Sequence, residues 1–227
     1  MRSTRRLLGV AVAGSIAMSL LAAAPAGAAG GAKATLNVVH GIPGADVNVC
    51  VNGAEAISDF NPGEVVKGVK LPPGSYDLKV VAASDDCADP AVLEADGIRL
   101  KEGRNYTAVA HLKANGAPTI GLFRNDMSEV GEGRARLIVR HTAAAPAVDL
   151  WANGAILGEG LNNGETFTAV LPRGVYAAWV SLPGDYRPVI GPDVLKLRRG
   201  HTYQVYAWGN GTDGYDLAVV PARSGVK

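Results

Sequence analysis

The chain carries the same arm twice, and this limits the folds open to it more than any other feature. Leu36-Asn-Val-Val-His40 runs into the turn Gly41-Ile-Pro-Gly-Ala45, then the apolar stretch Val47 to Val51 and the pair Asn52-Gly53. The pattern returns as Leu137-Ile-Val-Arg-His141, a turn ending in Ala145-Pro146, the stretch Val148 to Ala152 and Asn153-Gly154. The echo continues downstream. Leu71-Pro-Pro-Gly74-Ser-Tyr76 matches Leu171-Pro-Arg-Gly174-Val-Tyr176, and Leu100-Lys-Glu-Gly103-Arg-Asn-Tyr106 matches Leu197-Arg-Arg-Gly200-His-Thr-Tyr203. Two copies of one unit in 227 residues predict two modules, 34–127 and 134–223. The short, polar, Gly-rich segment Ser128-Glu-Val-Gly-Glu-Gly-Arg134 joins them.

Within a module the period is two. Leu36, Val38 and His40 share one face, Val47, Val49 and Val51 another, and Tyr76, Leu78 and Val80 a third. Gly 29 and Pro 13 recur between these short runs, and no segment holds a helical period. In the first module the pattern predicts seven strands: 36–40, 47–51, 64–71, 75–83, 91–100, 106–112 and 119–123. Seven short strands with frequent turns predict an all-β chain of two tandem immunoglobulin-like β-sandwiches. Tyr106 and Tyr203, each three residues after a turn glycine, suit tyrosine corners, whose phenol oxygen bonds the backbone upstream.

A strand ending in His, a Pro- and Ala-rich turn, then Val-Asp and an apolar strand closing on Asn-Gly resembles the DUF4397 family of bacterial secreted or surface domains. His141, Ala145-Pro146-Ala147, Val148-Asp149 and Asn153-Gly154 fit that pattern, as does the Leu-Pro-x-Gly-x-Tyr element of both copies. The first copy departs from it, with Asn48 in place of the Asp and Pro43 early in the turn. The resemblance covers nearly all of the chain after the leader. It implies two tandem copies, a β-sandwich and an extracellular place, and it supplies no catalytic residues.

The N-terminus reads as a signal peptide, 1–28. Arg2, Arg5 and Arg6 form its basic region, Leu7 to Ala24 is apolar, and Ala26-Gly-Ala28 is a small-residue cleavage site. Arg5-Arg6 is a weak twin-arginine feature. Without these three arginines the 22 Lys and Arg become 19 against 21 Asp and Glu. No basic stripe is left to follow a phosphate backbone, so a nucleic-acid partner is not expected. No later stretch is apolar enough for a membrane span. The product is read as secreted or extracellular, held at most loosely at the cell wall.

The sequence offers little chemistry. No metal-ligand spacing, nucleophile elbow or phosphate-cradling loop is present, so neither metal nor cofactor is expected. His40 and His141 end equivalent strands, and their expected role is structural, a ring nitrogen bonding the turn backbone. Asp149 and Asn48 sit at matched positions and suit bonds to local amides. Asp85, Asp86 and Asp89 form an acidic loop that lacks patterned Ca²⁺ ligand spacing. Cys50 and Cys87 are the only cysteines, and export predicts that they pair. All three tryptophans fall in the second module: Trp151, Trp179 and Trp208, where the first has Cys50, Lys79 and His111. By alternation they point away from the core-facing Val148, Tyr176 and Tyr203, and Trp208 shares its face with Tyr206. Outward aromatics mark a binding or packing surface. The function expected is a non-enzymatic cell-envelope structural or interaction module of unknown partner. The alternative is a carbohydrate-binding protein using Trp151, Trp179, Tyr206 and Trp208, with Asp149 fixing sugar orientation.

Overall fold

A computed structural model describes residues 31–225. The signal-peptide reading, 1–28, lies outside the described residues. The described chain is all-β. The first module holds β1 (Ala34–His40), β2 (Val47–Val51), β3 (Ala54–Phe60), β4 (Val65–Leu71), β5 (Gly74–Ala82), β6 (Leu93–Leu100), β7 (Asn105–Leu112) and β8 (Pro118–Asn125). The second repeats the order as β9 (Arg134–His141), β10 (Val148–Ala152), β11 (Ala155–Leu161), β12 (Thr166–Pro172), β13 (Gly174–Ser181), β14 (Pro188–Leu197), β15 (His201–Asn210) and β16 (Gly214–Arg223).

Each module is a sandwich of two four-stranded sheets, β4-β1-β7-β8 over β3-β2-β5-β6, and β12-β9-β15-β16 over β11-β10-β13-β14. β1 pairs with β7 in parallel, Leu36 opposite Tyr106, and β9 pairs with β15 in the same way, Leu137 opposite Tyr203. Eight strands per module correct the expected seven, so the sheets are four and four rather than the four and three of a constant-type immunoglobulin domain. The additional strands are β3 and β11. The Asn-Gly pairs that precede them have φ of 51° and 80° at Asn52-Gly53 and 49° and 81° at Asn153-Gly154. Two positive φ values in a row make the tight turn that returns a strand on its neighbour.

The two parallel pairs, β1 with β7 and β9 with β15, are buried on both faces. Leu36, Tyr106 and Ala108 fill the first module's core, and Leu137, Tyr203 and Val205 the second's. Their alternate side chains meet between the modules, where Val39 and Val109 pack with Tyr206, Ala218 and Val220, joined by Val65, Phe123 and Trp208. The four sheets therefore stack as outer, inner, inner, outer, and the seam is a third core. Several of its polar groups are paired across it, while Arg140 Nε and Trp208 Nε1 are buried without a hydrogen-bond partner. Thr107 Oγ1 donates to Gln204 Oε1 at 3.3 Å, Arg140 Nη2 to the Arg124 carbonyl at 3.2 Å, and Asn163 Nδ2 to the Leu112 carbonyl at 2.9 Å. Arg140 is 2 % exposed. Its guanidinium lies 4.8 Å from the Phe123 ring centroid and donates to Tyr206 Oη at 2.7 Å.

The linker is fastened to this frame. Arg136 donates to the Asp126 and Ser128 carbonyls at 3.2 and 2.8 Å and pairs with the Asp126 carboxylate at 3.3 Å.

Candidate functional site

The residues singled out from the sequence divide into fasteners and a surface. His40 and His141 are fasteners. Each Nε2 donates to a turn carbonyl, Ala45 at 2.7 Å and Pro146 at 2.8 Å, and each Nδ1 accepts from a backbone N–H two residues on, at 3.4 Å. Both ring nitrogens are thus in use, and a carbonyl partner requires the proton on Nε2. Burial pushes both imidazoles below their usual pKa, against the opposing pull of those carbonyls. Tyr106 and Tyr203 bond the backbone as expected, each Oη accepting an N–H five residues upstream, from Lys101 at 3.3 Å and Arg198 at 3.0 Å.

Asp149 and Asn48 hold matched places with opposite polarity. Asp149 accepts the Gly160 N–H at 2.8 Å and the Gly184 N–H at 3.0 Å. Asn48 accepts the Asp59 N–H at 3.0 Å, but its Nδ2 donates to the carbonyls of Ala83 and Asp85 at 3.3 and 3.0 Å. Cys50 and Cys87 are bonded, with Cα atoms 5.9 Å apart, and the bridge ties the acidic loop to β2. In that loop Asp86 and Asp89 accept loop N–H groups at 2.7 and 2.9 Å. Among the described residues no group of three or more His, Cys, Asp or Glu could hold a metal ion.

The tryptophans separate. Trp208 and Tyr206 belong to the seam, which places them in contact between the modules. Tyr206 is fully buried, and the Trp208 ring lies against Gly63. Trp151 and Trp179 are cross-strand neighbours on β10 and β13, on the outer sheet's outward face. Their rings stack with centroids 5.6 Å apart and planes 1° from parallel. Tyr186, from the loop after β13, stands edge-on to both at 5.2 and 5.3 Å. Trp151 Nε1 donates to Ser181 Oγ at 2.9 Å.

Around this cluster the outward face is mostly apolar, with Lys196 as a charged member at one end. Ile156 lies beside Trp151 on β11, Ala177 beside Val194 on β14, and Val175 beside Lys196. Val175 and Val194 are 62 % and 65 % exposed, and Tyr186 60 %. The matching face of the first module is charged: Cys50 has Glu55 and Lys79 as neighbours, Lys79 has Glu94, and Ser75 has Arg99. One outer face is thus polar and the other apolar, the kind of patch that marks a contact site. Sequence reasoning found Trp151 and Trp179 but missed Tyr186, Ile156, Val175 and Val194. The outward alternation of Val175 and Ala177 on the strand that holds Trp179 was the signal available.

The fold is a tandem β-sandwich with one charged and one largely apolar outer face. The model of the family described as "Domain of unknown function (DUF4397)" matches residues 34–151, more than half of the chain, and the chain belongs to that family. The match runs from β1 through Trp151 on β10. No curated protein matches the chain. Among solved structures the chain is similar to the Bacillus anthracis TIE protein, at 14% identity and a TM-score of 0.25, over 82% of this chain and 34% of that one. The chain thus spans about a third of that protein's length. A Parabacteroides distasonis protein provisionally assigned to cell adhesion is similar at 12% identity and a TM-score of 0.21, over 87% of this chain and 99% of that one. Among the described residues no helix is long and apolar enough to cross a membrane.

Proposed function

We propose that the protein is a non-enzymatic, exported structural or interaction module of the cell envelope. In this reading it holds two tandem copies of the family domain, locked face to face, with the outer sheet of the second copy as contact surface. The observation that carries it is the contrast of the outer faces: the second exposes Val175, Val194 and Tyr186 where the first presents charge. The disulfide suits an oxidising compartment. The glycan alternative has narrower footing, since Trp151 and Trp179 turn their planes to each other and Tyr186 is the cluster's exposed ring. The test is capture of envelope fractions on the immobilised protein beside an Ile156→Ser/Val194→Glu variant, with polysaccharides titrated against tryptophan emission. Capture lost in the variant supports the face. Equal capture by both removes it, a polysaccharide that shifts the emission favours the glycan reading, and turnover of a peptide or polysaccharide substrate overturns the non-enzymatic part.

A further inference from the structure

The second module ends in a cluster of exposed cations. Arg134 opens β9 opposite Pro172, and Arg173 follows in the next turn. Leu197 pairs with Gly174, so Arg198 and Arg199 occupy the adjacent turn, and Arg223 closes β16 opposite His201. Backbone bonds from Gly200 N–H to the Arg134 carbonyl at 2.8 Å and from Arg173 N–H to the Gly133 carbonyl at 2.8 Å draw these turns to one end of the sandwich. Lys196 stands next to them on the outward face. All six are exposed. The ion pairs among the described residues are Arg136 with Asp126 and Arg187 with Asp185, so none of the six has a carboxylate partner. The acids nearest to them are Glu132, two residues before Arg134, Asp193, three before Lys196, and Glu129, which lies against Gly225 two residues past Arg223.

The first module shows that the fold does not demand all of this charge. It keeps a cation at three of the six places, with Lys33, Arg99 and Lys101 for Arg134, Lys196 and Arg198, but has Pro73, Glu102 and Asp126 where the second has Arg173, Arg199 and Arg223. Glu102 accepts the Ala32 N–H, and Asp126 is held by Arg136. Six exposed cations gathered at one end give that end a positive field that attracts an anionic partner.

Beside the cations lie Val175 and Val194, the two most exposed large apolar side chains among the described residues, with Val175 directly across from Lys196. A hydrophilic polyanion would gain nothing from these valines. A lipid surface would, because its headgroups take the cations while the boundary below takes short apolar side chains.

We infer that this end of the second module docks on an anionic lipid surface, with the six cations over the headgroups and Val175 and Val194 at the acyl boundary. The inference rests on the second module's outer face being an interaction surface, and it names the partner. The test is sedimentation of the intact exported protein with vesicles of phosphatidylcholine alone and of phosphatidylcholine mixed with phosphatidylglycerol. Binding is expected only to the mixed vesicles and should weaken as salt rises. Removing a surface cation costs roughly fivefold, so Arg173→Gln/Arg198→Gln/Arg199→Gln should weaken binding on the order of a hundredfold. Val175→Ser/Val194→Ser should weaken it about tenfold. All five positions are exposed, and an unchanged tryptophan emission spectrum confirms that each variant is folded. No binding, equal binding to both vesicles, or full binding by the valine variant would overturn the inference, the last by pointing to a soluble polyanion. If vesicles fail while envelope material is still captured through Ile156 and Val194, this inference falls and the interaction reading stands.

Discussion

In the first module the loop after β5 is tied to β2 by the Cys50–Cys87 bond, and Lys79 Nζ donates to the Cys87 carbonyl at 3.0 Å. In the second module the loop after β13 lays Tyr186 against Trp151 and Trp179, which stand where Cys50 and Lys79 stand in the first. One loop is thus pinned to one pair of strands covalently in one copy and by packing in the other. A covalent pin is indifferent to its surroundings, so the first face can carry Glu55, Lys79 and Glu94 around it. An aromatic pin works by excluding water, and its neighbours Ile156, Ala177 and Val194 are apolar to match. A change in the means of fastening thus goes with the change from a charged face to one suited to contact.

The largest expected effect tests that comparison directly. Cys50→Ser/Cys87→Ser, or reduction of the native protein, should lower the first module's stability by about 3–4 kcal/mol on the loop-entropy estimate for the 37-residue separation. Tyr186→Ala removes two edge-to-face contacts from a side chain already 60 % exposed, and about 1 kcal/mol is expected. Urea unfolding followed by tryptophan emission, which reports on the second module, and by circular dichroism, which reports on both, separates the two. Equal losses would mean that the pins are equivalent and that the contrast between the faces has another origin.

The repeat, the paired cysteines and the turn role of His40 and His141 were legible because each depends on local pattern or on counting. β3 and β11 were not. Ala54, Glu55 and Ala56 are small or charged, and the register shift between Val47 and Val49 on β2 breaks the alternation opposite them. The strand is therefore recognisable only by the neighbour it pairs with. The seam was hidden for another reason. Val39 and Val109 read as ordinary strand residues, and the buried Arg140 as an outward polar one, until a second sheet covers them. Tyr186 sat in a loop with no period to place it. The exposed valines carried a signal in their alternation, but it needed the first module's charged face beside it to have meaning.

An exchange of the matched polar pair is expected to have the next largest effect. Asn48 faces two carbonyls and must donate, whereas Asp149 faces two N–H groups and must accept. Asn48→Asp would set a carboxylate against the Ala83 and Asp85 carbonyls, and a loss of about 3 kcal/mol is expected at neutral pH. Protonation would restore a donor, so the variant's carboxyl should titrate above its unfolded value. The folded state then binds the proton more tightly, and the deficit should shrink as pH falls and grow as pH rises through the folded pKa. Asp149→Asn keeps one acceptor and turns an NH₂ toward an N–H, for a loss of about 2 kcal/mol with no such pH dependence from this site. Unfolding at neutral and mildly acidic pH gives all four values, and a pH-independent deficit in Asn48→Asp would remove the donor argument.

A smaller effect than that of the polar pair isolates the seam. Gly63 and Gly164 hold the same place after their respective histidines, their N–H groups bonding the His40 and His141 carbonyls at 2.7 Å each. Their φ values are 83° and 86°, so an alanine at either carries the same left-handed backbone penalty, about 1–2 kcal/mol. What differs is the space. A Cβ at Gly164 meets nothing within 4 Å, whereas one at Gly63 comes 2.8 Å from Trp208 Cζ2. The backbone term cancels in the difference between Gly63→Ala and Gly164→Ala, leaving the cost of pushing the indole out of its seat, about 1–2 kcal/mol. The variant should also shift the emission of Trp208 toward that of a wetter indole, which Gly164→Ala should not do. If both glycines tolerate alanine equally, Trp208 yields at no cost and the modules are joined loosely there. If Gly63→Ala alone is costly, Trp208 is part of a fixed seam, and the outer faces of the two modules are held at a constant distance from one another.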